Sequence, residues 1–195
     1  MIAAQASTTL QQATADVILV VLILINAALG WRTGTLRRVV SFAGLYAGVL
    51  GAFYIGNYFA SLVHKGDIFA NAWSFVIVTA VVVIVFEVIG SIFADRLARL
   101  ATVTFDRIVG TVIGAVVGFF QASVLFMVAI AIGAAPSSPS NTVPPLRDLP
   151  ATAIRSAPLS SQAIRAQPVL HTIFSPVFSS DLTTHLEEGT SLTAP

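Results

Sequence analysis

The chain has 195 residues, 56% of them apolar and 10% charged, with a formal net charge of +1 and no cysteine. An ordinary soluble domain is about 25% charged, so the composition agrees with a membrane protein, and the net charge of +1 gives no sign of a nucleic-acid partner. The lack of cysteine excludes disulfides, thiol catalysis and cysteine-based metal sites.

In chain order, residues 1–15 come first and carry no Lys or Arg, so they lack the charged start of a secretory signal peptide. They read as a flexible N-terminal tail ahead of a retained first span. Four apolar stretches follow, at about 16–33, 37–62, 71–95 and 107–135. A helix rises about 1.5 Å per residue, so about 20 apolar residues match a hydrocarbon core of about 30 Å. All nine prolines lie after these stretches, which leaves each free to bond its own backbone as lipid requires. The fold class that follows is an all-α integral membrane protein with four transmembrane helices over residues 16–135. Asp16 stands where span one opens and reads as its N-cap.

Arg32, Arg37 and Arg38 lie between spans one and two, and Arg96, Arg99 and Arg107 between spans three and four. The middle connection has Lys65 alone, and the N-terminal segment has no basic residue. Arginines in short loops are retained in the cytoplasm, so the N-terminus, the middle loop and the C-terminal tail are expected outside. Tyr54, Tyr58 and Trp73 then fall near the outer interface and Trp31 near the inner one, where amphipathic rings prefer to sit.

Small residues recur every fourth position at Gly44, Gly48, Ala52 and Gly56 in span two, and at Gly110, Gly114, Gly118 and Ala122 in span four. That spacing keeps them on one face, where two backbones approach closely. Whether the two stripes meet each other is left open by the sequence. Glu87 is a carboxylate well inside span three, and a polar group in lipid needs a reason. Counted from the inner arginines, Glu87, Asn26 and Tyr46 come out within about 9–12 Å of the same boundary, so the three are expected to meet. Gln121 lies higher, on the glycine face of span four. The plainest role for Glu87 is a neutral, hydrogen-bonded acid that fixes helix register; the alternatives are proton or cation handling and an inner-loop arginine partner.

From residue 136 the chain turns rich in Pro, Ser and Thr. Residues 136–145 read as an extended linker, 150–156 and 160–174 as short amphipathic helices, the second kinked by Pro168, and 179–195 as disordered. These helices are expected on the outer membrane surface or on the bundle. The histidines are His64, His171 and His185, without a third ligand or rigid support for the His185–Glu187 pair, so no metal, cofactor or catalytic site is expected.

Particular residues now resemble a known family. Gly30-Trp31-Arg32-Thr33-Gly34-Thr35-Leu36-Arg37, followed by Ser41-Phe42-Ala43-Gly44, resembles the signature of the colicin V production protein family. Asp16-Val17-Ile18-Leu19 is similar to that family's opening, and Asp106-Arg107-Ile108-Val109-Gly110 with Gly114 and Gly118 to its fourth span. Glu87-Val88-Ile89-Gly90 resembles a run in the membrane anchors of actinobacterial periplasmic serine proteases, which carry the same domain. The likeness covers Asp16 to Ala135, with a faint echo over Ile154 to Phe174. Arg38 departs from it, because many relatives have an acid or amide there, and this bears on any inner-loop salt bridge the family uses.

The resemblance implies a multi-pass protein of the bacterial inner membrane, linked to toxin production and envelope maintenance, and it names a role rather than a mechanism. It also implies the membrane module alone, without the protease domain. Two readings stand. One is a non-catalytic assembly scaffold that self-associates or binds another membrane or periplasmic protein. The other is a small oligomeric transporter or channel using Glu87.

Overall fold

The computed structural model describes residues 2–63, 68–97, 103–134 and 148–174. Four long helices carry the fold: α1 (Ile2–Thr33), α2 (Thr35–Val63), α3 (Ile68–Leu97) and α4 (Val103–Ala134). Each contains a stretch long and apolar enough to cross a bilayer. The chain is a multi-pass membrane protein. Three short helices follow, α5 (Asp148–Ser156), α6 (Ser160–Arg165) and α7 (Gln167–Ile173).

The helix starts at Ile2, which corrects the expectation of a flexible tail over 1–15. That segment is free of Gly and Pro and rich in Ala and Gln, so its intrinsic preference extends the span without a break. Asp16 is therefore mid-helix and cannot cap α1.

The helices associate as two antiparallel pairs, α1 with α4 and α2 with α3, joined chiefly where α2 meets α4. Glycine sets the first pairing. A Cβ on Gly110, Gly114 or Gly118 would lie 2.6, 2.2 or 2.5 Å from the backbone oxygen of Gly30, Asn26 or Leu22 respectively. In the second pair, a Cβ on Gly44 would meet Phe86 Cβ at 2.6 Å, and one on Gly48 would meet the Thr79 carbonyl at 2.9 Å. The two stripes thus pack on different partners, not on each other. Gly56 differs from its stripe: its nearest neighbour, Phe75, would be 3.7 Å away, an ordinary contact.

One residue separates α1 from α2. Gly34 holds φ 78° and donates its N–H to the Gly30 carbonyl at 2.9 Å, closing α1 with a left-handed residue. A side chain there is excluded twice, because a Cβ would also fall 1.9 Å from Asp106 Oδ2.

The tail docks within the thickness of the bundle. Ile154, Ala157 and Ala163 are buried against Ala15 and Leu19 of α1 and Ala122 and Phe126 of α4. Leu170 and Phe174 are fully buried in a core with Leu45, Val49 and Phe53 of α2, Phe75 of α3 and Val124 of α4. Phe174 stacks on Tyr46 at 5.7 Å and meets Phe120 edge-on at 6.4 Å, about half-way along α2 and α4. Of the two sequence-based placements, the bundle is the one observed. The expected 160–174 helix is broken at Ala166, with Pro168 in the first turn of α7, a position where its missing N–H costs nothing. The linker at 136–145 and the end at 179–195 lie outside the described residues.

Candidate functional site

The candidate site starts at the first turns of α2. Arg37, Arg38 and Ser41 follow one another at intervals that place Arg37, Arg38 and Ser41 along one side of the helix. Gly44 and Gly90 let α3 come close there, since a Cβ on Gly90 would touch Val40 at 2.9 Å. That approach puts Glu87 of α3 within reach of all three side chains.

Arg38 Nη2 donates to Glu87 Oε1 at 2.9 Å and to Oε2 at 3.0 Å, and Arg37 Nε donates to Oε2 at 3.3 Å. The Ser41 hydroxyl donates to Oε1 as well. The Arg38 side chain is 1% exposed and that of Glu87 24%. An isolated charge at this depth is expensive, so the pair stands because each charge satisfies the other.

Arg38 also reaches sideways. Its Nη1 donates to Asn26 Oδ1 of α1 at 3.4 Å. Asn26 Nδ2 in turn donates to the Leu22 carbonyl and to Gln121 Oε1 of α4, both at 2.9 Å. Glu87, Arg38, Asn26 and Gln121 therefore form one polar chain with a member on each of the four long helices. Its polarity is fixed. A guanidinium only donates and a carbonyl only accepts, so Asn26 has one allowed orientation and Gln121 must present its oxygen.

The sequence expectation that Glu87, Asn26 and Tyr46 meet is met by Glu87 and Asn26 through Arg38, while the Tyr46 ring is stacked on Phe174. Gln121, expected to lie higher, belongs to the chain. Of the three sequence readings of Glu87, the inner-loop arginine partner is the one observed, supplied by Arg37 and Arg38. Sequence reasoning passed over Ser41, whose signal is its spacing of one helical turn from Arg37 and Arg38.

A second cluster explains the glycine–arginine turn. The Thr35 N–H donates to Asp106 Oδ1 at 3.0 Å, and the Thr35 hydroxyl donates to the Asp106 carbonyl at 3.0 Å. Asp106 thus caps α2 from the first turn of α4. Its negative charge at the α2 N-terminus also offsets the adverse placement of Arg37 and Arg38 in the first turns. Gly30, Gly34 and Gly110 are the positions that let this turn seat on α4. Arg32 lies in the last turn of α1, where the helix dipole favours a cation, and Arg107 is exposed on α4.

A third cluster holds the tail. Asp16 Oδ1 accepts from the Ser160 N–H at 2.7 Å and from the Ser160 hydroxyl at 2.8 Å, and the Leu159 N–H lies 3.2 Å from the same oxygen. Gln12 Nε2 donates to Ser156 Oγ at 2.9 Å. The start of α6 has N–H groups that lipid cannot satisfy, and Asp16 satisfies them. Asp16 is a cap after all, but for α6 rather than for its own helix. His64 and His185 lie outside the described residues, and His171 is on α7.

Chemically, these clusters bind helices to one another. Glu87 is already engaged by two guanidinium groups and a hydroxyl, so a cation entering there must displace a guanidinium. Residues 15–155 match the family model described as colicin V production protein. No curated protein and no solved structure matches the chain.

Proposed function

The chain belongs to the colicin V production protein family, and on that premise we propose that it is a non-catalytic assembly scaffold of the bacterial inner membrane, serving toxin export or envelope maintenance. The observation that carries this reading is the Glu87–Arg38–Asn26–Gln121 chain, which spends the intramembrane charges on joining four helices. A transport pathway needs a charge free to exchange its partner, and Glu87 is held from three sides. The docked tail supports the same reading, because α5–α7 tie the middle portions of α1, α2 and α4 into one unit. Both termini are extracytoplasmic in this proposal, by the arginine asymmetry of the connections. The partner is a second copy or another membrane or periplasmic protein.

The test is complementation of a deletion strain for envelope-stress survival, paired with proton and cation flux in liposomes. The neutral pair Glu87→Gln/Arg38→Gln is expected to complement at normal membrane levels, and the unaltered protein to conduct no more than protein-free liposomes. Flux through the unaltered protein that the neutral pair abolishes would establish the transporter reading instead.

A further inference from the structure

The polar chain ends at a crevice. Between α3 and α4, which touch little, lies a cavity of about 300 Å³, at the lower end of the range for small-molecule sites. Its walls include Leu45, Phe75, Val83 and Val124, and its polar lining residues are Thr79 and Gln121. Ala80 and Ile84 also line it and are exposed, so the crevice opens sideways toward the hydrocarbon rather than toward water.

Gln121 is the informative member. Its oxygen is committed to Asn26, whose orientation is fixed by Arg38 on one side and the Leu22 carbonyl on the other. The amide NH2 of Gln121 is left as the free end of the chain, and no described group accepts from it. The Thr79 hydroxyl is turned to the Gly48 carbonyl at 3.4 Å. The crevice therefore offers one unanswered donor in an apolar wall. Gln121 stands about half-way along α4, so the donor lies near the bilayer midplane, about 15 Å from the headgroups. Charged groups and phospholipid esters do not belong at that depth.

We infer that this crevice binds an uncharged lipophilic carbonyl compound, of the ketone or quinone class, whose oxygen accepts from the Gln121 NH2. The apolar walls take the body of the molecule, and the amide selects for the carbonyl. A donor without a partner in hydrocarbon is costly, and a carbonyl removes that cost where an alkane cannot.

The experiment measures partition of a decyl-substituted benzoquinone and of decylbenzene into nanodiscs carrying the full chain, against empty nanodiscs. The quinone is expected to be retained about tenfold more tightly than decylbenzene, the scale of one good hydrogen bond. Gln121→Leu is expected to abolish that preference. Ala80→Phe fills the crevice from its exposed mouth without touching the Asn26–Gln121 bond, and is expected to release the quinone. If Gln121→Leu does not fold, Ala80→Phe decides. Equal retention of both probes, retention of neither, a preference that survives Gln121→Leu, or full binding by Ala80→Phe would each overturn the inference.

Discussion

A single added methyl group separates close-packed glycines from tolerated ones. In Gly114→Ala the new Cβ would sit 2.2 Å from the Asn26 carbonyl oxygen, 2.8 Å from its carbon and 3.2 Å from Ala27 Cα. Comfortable carbon–oxygen contacts begin at about 3.3 Å, so α1 and α4 must part by about an ångström. The atoms in the way are backbone and cannot rotate aside. Overpacking of this kind costs about 1–3 kcal/mol, and rigid neighbours place the cost toward the upper end. Alanine returns about 1 kcal/mol of helix propensity, leaving a net loss of about 2 kcal/mol. The same shift strains the Asn26–Gln121 bond, because Asn26 is the residue whose carbonyl is pushed. Gly51→Ala supplies the control, because its Cβ would meet only Val82 and Val78 side chains at 3.8 and 3.9 Å. There the propensity gain stands alone, and Gly51→Ala is expected to be neutral or stabilising by up to about 1 kcal/mol. Unfolding in mixed micelles, followed by circular dichroism, reads both variants against the parent. Equal stability of Gly114→Ala and Gly51→Ala would refute the close-packing argument.

Three further outcomes follow from the same contacts. Asp16→Ala leaves the α6 N–H groups without acceptors and is expected to cost about 2 kcal/mol, read as faster tryptic cleavage at Arg155 and Arg165 in micelles. Phe174→Ala empties a fully buried site between Tyr46 and Phe120 and is expected to cost about 3–5 kcal/mol, lowering the melting temperature while insertion into membranes stays normal. For orientation, single cysteines at Ser61 and Ser138 are expected to react with an impermeant thiol reagent on cells with a permeabilised outer barrier, and one at Arg99 to stay protected.

The four spans were legible because lipid demands long apolar runs, and apolar length is read directly from residue type. The glycine stripes were legible as close-packing faces, but not their partners: fourfold spacing describes one helix and is silent on the other. Gly56 shows the same limit, because the pattern continues past the point where α2 and α3 stay in tight contact. Asp16 was misplaced because the apolar run begins near it, whereas helix propensity carries α1 back to Ile2. Its true partner lies 144 positions away at Ser160, beyond any local pattern. An inner-loop arginine was legible as one reading of the Glu87 partner, but not which arginine or how deeply it is buried. Counting arginines for orientation treats them as loop residues, yet a one-residue turn at Gly34 draws Arg38 into α2 and buries it. An acid expected to be neutral is paired instead, so Glu87→Gln, which would be silent for a neutral acid, now strands a buried guanidinium.

The most direct test of the four-helix polar frame is a double-mutant cycle on Glu87→Gln and Arg38→Gln, with unfolding free energy in micelles as the readout. Glu87→Gln alone leaves Arg38 buried without its counter-charge and is expected to cost about 3–5 kcal/mol. Arg38→Gln alone leaves Glu87 with Arg37 and Ser41 and is expected to cost less. The double variant buries two neutral amides, and its loss is expected to fall below the sum of the single losses by at least about 2 kcal/mol. Losses that add to within about 0.5 kcal/mol would mean that the pair is not coupled, and would contradict the frame.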